Sequence, residues 1–436
     1  MTAGMSRAKE RGALHTLRRG LLCTLAAVGV GILGITSMAP AAVAADGVRS
    51  KQWYLDAMNA TTVWEKTTGS GISVAVIDGG VNPSTPALKG QVLPGVDVSG
   101  IAGDETDDYD GHGTTIAELI AGTGKGGGIQ GLAPGAKIIP IRTLVEEMRE
   151  KEAPDRLHTV DKAIRAAVDS EAKIINISLG QEGWDNDTKD AVEYAASKGK
   201  LMFAGVGNDA EDLNNVDYPA AYPDVVGVAA TDAAGKAGKF SEHGDEVHLA
   251  APGVDIPTWC DETFKQYCDG QGTSQATAIA SASAALIWSA NPDWTANQVL
   301  RVMFESAGRS EDAKPGSLSS YLGHGIVRPG AHINRGVGKP GDPNLSPLTN
   351  ERTPGSPGAP GSSESSASSE PSGSASAPAS GASNAPGDGE GDKAVTAGAS
   401  KSTEDDSQLG LILGGAAVVV VLAGGAFFFL RKRRAA

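Results

Sequence analysis

Short apolar runs alternate with segments of helical spacing through the middle of the chain. Five runs are predicted to be strands: 72–77, 137–141, 173–179, 201–204 and 225–229. Residues 160–168 and 188–196 instead place apolar side chains three and four positions apart, which predicts helices. Apolar strands that alternate with helices indicate an α/β fold, a parallel sheet with helices on both faces. Functional residues are then expected beyond the carboxyl ends of the strands.

The composition changes after this region. Of residues 351–400, 38 of 50 are Ser, Ala, Gly or Pro, and none is aromatic. Such a segment cannot bury enough apolar surface to offset the entropy of ordering it. We therefore predict a folded domain over 71–335 and a disordered linker over 336–408.

Both ends of the chain carry membrane-targeting patterns. Residues 1–44 combine a twin arginine, an apolar run and a final Ala-Val-Ala, which predicts a secretory signal peptide; a short N-terminal arm follows over 45–70. An uncleaved N-terminal anchor is the alternative. Residues 409–430 are uncharged and would form a helix of about 33 Å, enough to span a bilayer. The basic tail 431–436 then predicts a single-pass protein of the cell membrane, with a cytoplasmic C-terminus and an extracytoplasmic domain.

The net charge limits the partners. The chain of 436 residues carries −15, and because residues 1–44 and 431–436 each carry +4, residues 45–430 hold −23. Such a surface repels phosphate backbones, so no nucleic-acid binding is expected.

Cys260 and Cys268 are the two cysteines that follow the signal peptide, since Cys23 lies within it. In an oxidising compartment this pair predicts a disulfide that closes a small loop, with two free thiols as the alternative. Two cysteines alone make a poor zinc site, so they predict no metal cofactor.

Four polar residues lie in glycine-rich settings at the ends of predicted elements. Asp78 ends the first strand in SVAVIDGG, and His112 lies between glycines before a helical stretch. Asn208 follows a strand in FAGVGND, and Ser274 opens a long apolar helix in GTSQATA. Aspartate and serine in such places often only cap a turn or a helix. The imidazole, however, suits a general base, and a helix N-terminus favours a developing oxyanion, to which the Asn208 amide can also donate.

The order of these four residues, which is acid, imidazole, amide and hydroxyl, resembles the subtilisin-like serine proteases (subtilases, peptidase S8). The resemblance covers 69–333 and includes three further segments: 131–136, 176–180 and 323–327. It implies a serine endopeptidase with the subtilisin-like α/β fold. Ser274 would attack a peptide carbonyl, His112 would carry the proton and Asp78 would orient the imidazole.

The same resemblance implies the groups that hold the substrate, which would be a protein. The backbone N–H of Ser274 and the side chain of Asn208 would form the oxyanion hole. Substrate binding, including the border of the pocket for the residue before the cleaved bond (P1), is implied for Ser178, Leu179, Gly180, Ala204 and Gly205.

The order of segments resembles one subgroup, the mycosins, which are membrane-anchored subtilases that accompany type VII secretion systems. Signal peptide, domain, linker, span and basic tail all match, and the sequence QWY at 52–54 precedes the first strand. This implies type VII membrane components as partners. A weakly active or inactive scaffold that stabilises a secretion complex is the alternative.

The N-terminal arm over 45–70 has 26 residues and is too short to fold alone, so we expect it to pack on the domain.

Four residues depart from the family pattern without removing a catalytic group: Gly79, Glu118, Gln275 and Ala278. They leave the level of activity open. Five acids within 104–110 precede His112, and three interpretations compete for them: a solvated loop, a calcium site, or a wall that selects basic substrate residues. A loop that closes over the site is expected to raise the pKa of His112.

Overall fold

The computed structural model describes residues 42–145, 148, 159–309, 314 and 317–353. The predicted signal peptide up to residue 41, the linker from 354 onward, the membrane span and the basic tail lie outside the described residues. Within the described ranges, no helix combines the length and the apolar character that crossing a membrane requires.

A parallel sheet of seven strands forms the centre of the domain, which confirms the predicted fold class. Its strands are β1 (Ser73–Asp78), β2 (Val96–Asp97), β3 (Lys137–Arg142), β4 (Ile174–Ile177), β5 (Leu201–Gly205), β6 (Val226–Thr231) and β7 (Val247–Pro252). They pair in the order β2-β3-β1-β4-β5-β6-β7. The chain passes from β1 to β3 on one side and then to β4 on the other. Such a reversal opens a crevice at the carboxyl ends of the strands.

Helices cover both faces of this sheet. The described helices are α1 (Ala42–Lys51), α2 (Trp53–Ala57), α3 (Ala60–Trp64), α4 (His112–Ala121), α5 (Val160–Asp169), α6 (Asn186–Ser197), α7 (Thr273–Ala290), α8 (Ala296–Ser306) and α9 (Pro329–Arg335). Successive residues of a strand point to opposite faces. Val74 and Val76 therefore join the core under α4, α7 and α8, whereas Ala75 and Ile77 join the core under α5 and α6.

Helix α7 crosses the sheet and is buried along most of its length. A helix in that position must be apolar or small on all sides, and its sequence is rich in alanine. The small side chains let its first turn approach the end of β5, where Thr273 lies against Gly205. The start of α7, with Ser274, is thereby brought to the crevice.

An antiparallel hairpin outside the sheet consists of β8 (Ile256–Trp259) and β9 (Tyr267–Gly270). Cys260 and Cys268 form the predicted disulfide across its loop, with their Cα atoms 5.2 Å apart. Trp259 stacks on Tyr267, with ring centroids 3.8 Å apart. The residue pattern does not reveal this hairpin, because each of its strands is only four residues long.

The N-terminal arm packs on the domain. Tyr54 is fully buried. The indole N–H of Trp53 donates to the carbonyl of Val254 at 3.1 Å, and that of Trp64 donates to the carbonyl of Leu132 at 2.8 Å. These contacts make the arm part of the folded domain.

The packed chain continues to Thr353, beyond the domain boundary predicted at 335. The side chains of Thr295 and Asn297 both donate to the carbonyl of Pro343 at 3.0 Å. Leu348 packs against the core under α7 and α8. This corrects the predicted start of the linker, because polar side chains at the start of α8 hold a segment whose own composition is that of a loop.

Candidate active site

Four candidate residues lie at the crevice edge because the elements that carry them end or begin there. Asp78 is the last residue of β1, and His112 is the first residue of α4. Ser274 is the second residue of α7, and Asn208 lies three residues after β5. The edge is the one that a parallel sheet with this strand order offers to ligands.

Asp78 and His112 are in direct contact. The Nδ1 atom of His112 lies 2.9 Å from each carboxylate oxygen of Asp78, which is only 3% exposed. The backbone N–H of Gly79 also donates to this carboxylate, at 2.8 Å. Gly113 makes the close approach feasible, since a Cβ at that position would overlap the carbonyl of Gly80. The carboxylate therefore holds the imidazole with Nδ1 protonated, which leaves Nε2 as the acceptor.

The acidic surroundings favour the charged imidazole. Burial opposes the charge, but the attraction and hydrogen bond of Asp78 and the charges of Asp110 and Asp108 outweigh it, and together they raise the pKa of His112 to about 9. A raised pKa of His112 is the direction expected for an acidic loop next to the imidazole.

The Ser274 hydroxyl is directed at a neighbouring carbonyl. Its Oγ donates to the carbonyl oxygen of Ser178 at 3.1 Å, and the Ser178 hydroxyl donates back to the carbonyl of Ser274 at 3.3 Å. A hydroxyl has one proton to donate, so in this rotamer it is not given to His112. The structure thus joins Asp78 to His112 and Ser274 to Ser178, but it does not join the two pairs by a hydrogen bond.

The orientation of the Asn208 amide follows from its partners. Its Oδ1 accepts from the backbone N–H of Thr273 at 2.9 Å and from the Thr273 hydroxyl at 3.2 Å. A backbone N–H can only donate, so the oxygen must face Thr273. The amide NH₂ then remains for a group bound beside the start of α7.

The residues predicted to bind substrate differ in exposure. Ser178, Leu179 and Gly180 follow β4 in sequence, and Gly180 is exposed. Ala204, by contrast, is fully buried in the core under α5 and α6, and Gly205 is buried as well. The side chain of Ala204 packs in the core and not in a cleft, because β5 is an interior strand of the sheet.

The acids of 104–110 serve mainly as acceptors for backbone N–H groups. Asp108 accepts from Gly111 at 3.1 Å and from Thr114 at 2.7 Å, and Asp110 accepts from His112 at 2.9 Å. Among the described residues, no group of three or more His, Cys, Asp or Glu is arranged to hold a metal ion. These hydrogen bonds give Asp108 and Asp110 a structural role in the loop that precedes His112.

Glu118 is a buried acid on α4 whose partners are distant in the sequence. Thr85 donates to its Oε1 and Tyr267 to its Oε2, both at 2.7 Å. Burial outweighs these hydrogen bonds and raises the pKa of Glu118 to about 7. The signal for this site was an acid within an apolar helix, which needs a polar partner. Glu118 ties the helix that begins at His112 to the disulfide hairpin.

Asp78 and His112 form an aspartate-imidazole pair where the strand order of the parallel sheet reverses, and Ser274 lies at the start of the central helix. These features define the class of α/β proteins with a serine-hydrolase type of site. The chain belongs to the subtilase family, since the peptidase S8 model, described as the subtilase family, matches residues 69–325.

Curated relatives and solved structures agree with this family. The chain is 32% identical over 279 residues to the minor extracellular protease Epr of Bacillus subtilis (strain 168), which covers 64% of this chain but only 41% of Epr. It is 34% identical over 242 residues to thermitase of Thermoactinomyces vulgaris, which covers 55% of this chain and 82% of thermitase. A solved structure of MycP1, described as a serine protease and an essential component of the type VII (ESX-1) secretion system, is similar with a TM-score of 0.55 and 28% identity. That match covers 65% of this chain and 88% of MycP1.

Proposed function

We propose that the chain is a serine endopeptidase that cleaves peptide bonds of proteins through Asp78, His112 and Ser274. The observation that carries the proposal is the contact of both Asp78 oxygens with Nδ1 of His112 at 2.9 Å. That contact fixes the imidazole tautomer that a serine nucleophile requires. Membership of the subtilase family supports the same reaction.

The first half of the reaction begins with a rotation of the Ser274 side chain from the Ser178 carbonyl to Nε2 of His112. The imidazole takes the hydroxyl proton while Oγ forms a bond to the carbonyl carbon of the substrate. The resulting oxyanion accepts from the backbone N–H of Ser274 and from the amide NH₂ of Asn208. The C–N bond then breaks, and His112 returns its proton to the leaving amine.

The second half releases the product from the acyl-enzyme. His112 takes a proton from water, the hydroxide oxygen bonds to the acyl carbon, and the ester bond to Ser274 breaks as Oγ regains its proton. Asp78 stays ionised throughout and stabilises the charged imidazole.

A fluorophosphonate probe tests this proposal, because it forms a covalent bond only with an activated serine. We expect stoichiometric labelling of the full chain, with the modified peptide containing Ser274. A folded chain that the probe does not modify would instead favour the scaffold that stabilises a secretion complex.

The activity should increase with pH through about 9. Only the neutral imidazole can take the hydroxyl proton, and the pKa of His112 is raised to about 9, so kcat/KM should fall about tenfold per pH unit below that value. The measurement is kcat/KM for a neutral peptide between pH 6 and pH 10. Asp110→Asn keeps an acceptor for the His112 N–H but removes a charge, so it should lower the midpoint. A wild-type midpoint near 6.5, the ordinary value of histidine, would contradict the raised pKa.

We also propose that the protein is anchored in the cell membrane and accompanies a type VII secretion system. The uncharged segment 409–430 and the basic tail 431–436 support the anchor. Similarity to MycP1 and to MycP3, a protease described as from the type VII (ESX-3) secretion system, supports the association; the MycP3 structure has a TM-score of 0.53 and 28% identity.

Deletion of 409–436 is expected to release the protein from the membrane, because the deletion removes the proposed span. The full chain should remain in the membrane fraction after alkaline carbonate extraction, and the shortened chain should be soluble and still labelled by the probe. Deletion of 360–390, within the proposed linker, is the control and should leave the protein in the membrane. Recovery of the full chain in the soluble fraction would refute the anchor.

A further inference from the structure

The cleft beside β4 and β5 is acidic in a way that the catalytic mechanism does not require. Asp217 lies between the two segments that follow these strands. Its backbone N–H donates to the carbonyl of Val206 at 3.0 Å, and the next residue, Tyr218, exchanges two backbone hydrogen bonds with Gln181, at 2.9 and 3.0 Å. Asp217 is therefore fixed next to the segment 178–180, for which the resemblance to the subtilases implies substrate binding.

The Asp217 carboxylate lies directly against Gly180. A Cβ at position 180 would overlap its Oδ2 atom, and any longer side chain there would cover it. Gly180 is exposed, and Asp217 itself is half-buried. Glycine thus leaves the carboxylate open at the edge of the segment along which a substrate would lie.

Three further carboxylates surround Asp217, and we call the four residues Glu182, Asp209, Asp217 and Glu242 the acidic pocket. Burial, with the charges of Asp209 and Glu182, raises the pKa of Asp217 to about 6. Burial, with the charges of Asp217 and Asp209, raises the pKa of Glu242 to about 7 against the effect of two backbone N–H groups. The four carboxylates therefore repel one another, and a positive charge brought next to Asp217 would relieve that repulsion.

The charge of the acidic pocket is not compensated by this part of the chain. Across the described residues, none of the four carboxylates takes part in a salt bridge. Glu242 is only 3% exposed, and its Oε2, which points at Gly207 next to Asn208, has no hydrogen-bond partner among the residues that the structure describes. A buried acceptor without a donor is costly, so its presence points to a donor that is supplied by a ligand.

Aromatic rings cluster around Tyr218, the residue that follows Asp217. Trp184 is 53% exposed and packs edge-on against Tyr218 and Tyr222, with ring centroids 5.8 and 5.1 Å away. Aromatic faces next to carboxylates attract organic cations with an alkyl stem, which packs on the rings while the charged end reaches the acids. The described residues offer no grouping of three or more acids that would hold a metal ion, so a metal is not the expected occupant.

We propose that the acidic pocket receives an arginine or lysine side chain of the substrate at P1, with Asp217 as the residue that determines this specificity. The inference rests on the proposed function for the direction of the substrate. An apolar side chain would remove water from the carboxylates without replacing their hydrogen bonds, whereas a guanidinium or ammonium group would supply donors and charge.

Binding to the Ser274→Ala variant tests the specificity apart from catalysis. Alanine-based peptide amides would carry arginine, citrulline or leucine at one position, and their affinities would be measured by fluorescence anisotropy. Citrulline matches arginine in shape but has no charge. We expect arginine to bind about tenfold or more tightly than citrulline or leucine at the P1 position. Equal affinities for arginine and citrulline would overturn the proposal, whether or not the probe labels Ser274.

Two variants assign the effect to the pocket. Asp217→Asn should reduce the preference for arginine over citrulline to within about twofold, and Glu182→Gln, at an exposed position, should weaken it in part without endangering the fold. Asp224→Asn is the matched control, since it is another half-buried acid whose pKa burial raises, yet it lines a different cavity with Leu201 and Met202. A preference that survives in Asp217→Asn, or that is lost in Asp224→Asn, would refute the assignment.

Discussion

Replacement of Ser274 by alanine is expected to lower kcat/KM for a peptide substrate by about 10⁶ and to abolish labelling by a fluorophosphonate probe. The variant lacks the oxygen that the proposed mechanism uses to attack the peptide carbonyl and to form the acyl-enzyme. The fold should be unaffected, because the side chain makes one hydrogen bond, to the carbonyl of Ser178, and alanine favours the helix. Cleavage of a fluorogenic peptide and labelling of the purified full chain measure both effects.

Ser283→Ala is the matched control for this experiment. Ser283 lies on the same helix and is buried, and its hydroxyl donates to the carbonyl of Ile279 one turn earlier. Its replacement removes a hydroxyl without touching the crevice, so activity and labelling should stay within about twofold of the wild type. A Ser274→Ala variant that still cleaves the peptide at a comparable rate would place the nucleophile elsewhere.

Replacement of Asp78 by asparagine is expected to reduce kcat by about 10⁴ with little change in KM. In the wild-type protein, both carboxylate oxygens of Asp78 lie 2.9 Å from Nδ1 of His112. The asparagine amide would donate to that nitrogen instead, which would move the imidazole proton to Nε2 and leave no acceptor for the Ser274 proton. Steady-state kinetics at pH 10 measure the effect, because wild-type His112 is largely neutral one unit above its pKa of about 9.

Asp232→Asn controls for the loss of a carboxylate as such. Asp232 accepts from the backbone N–H groups of Ala234 and Lys236 in the turn after β6, and an asparagine oxygen can accept in the same way. This variant should keep wild-type kcat. An Asp78→Asn variant that raises KM but keeps kcat would show that the carboxylate acts in substrate binding and not on the imidazole.

The strands that the sequence predicted are those that are buried on both faces. Residues 72–77 and 201–204 differ by only a residue at either end from β1 and β5, because a strand in the interior of a parallel sheet is a continuous apolar run. Strand β2 has two residues and forms only because β3 offers it an edge, which no local pattern records. In β7, His248 interrupts the apolar run and conceals the strand.

The candidate catalytic residues were predictable because each lies in a local sequence of its own. Their contacts were less so. The rotamer of Ser274 depends on the Ser178 carbonyl, 96 residues away, and the environment of Asp217 depends on Gly180. Nothing near position 217 marks it as a specificity residue, since only the fold brings it to the segment 178–180. The residue pattern does not show which residues of distant segments come into contact across the sheet, and these contacts could not be predicted for that reason.

The bond between Glu118 and Tyr267 has a practical consequence for handling this protein. Tyr267 is the neighbour of Cys268, so the crosslinked loop and the helix that starts at the imidazole are mechanically joined. A thiol reductant in the buffer would release one end of that brace. Rates measured in the presence of dithiothreitol would then describe a protein whose hairpin loop is no longer crosslinked. Oxidised protein is therefore the appropriate starting material.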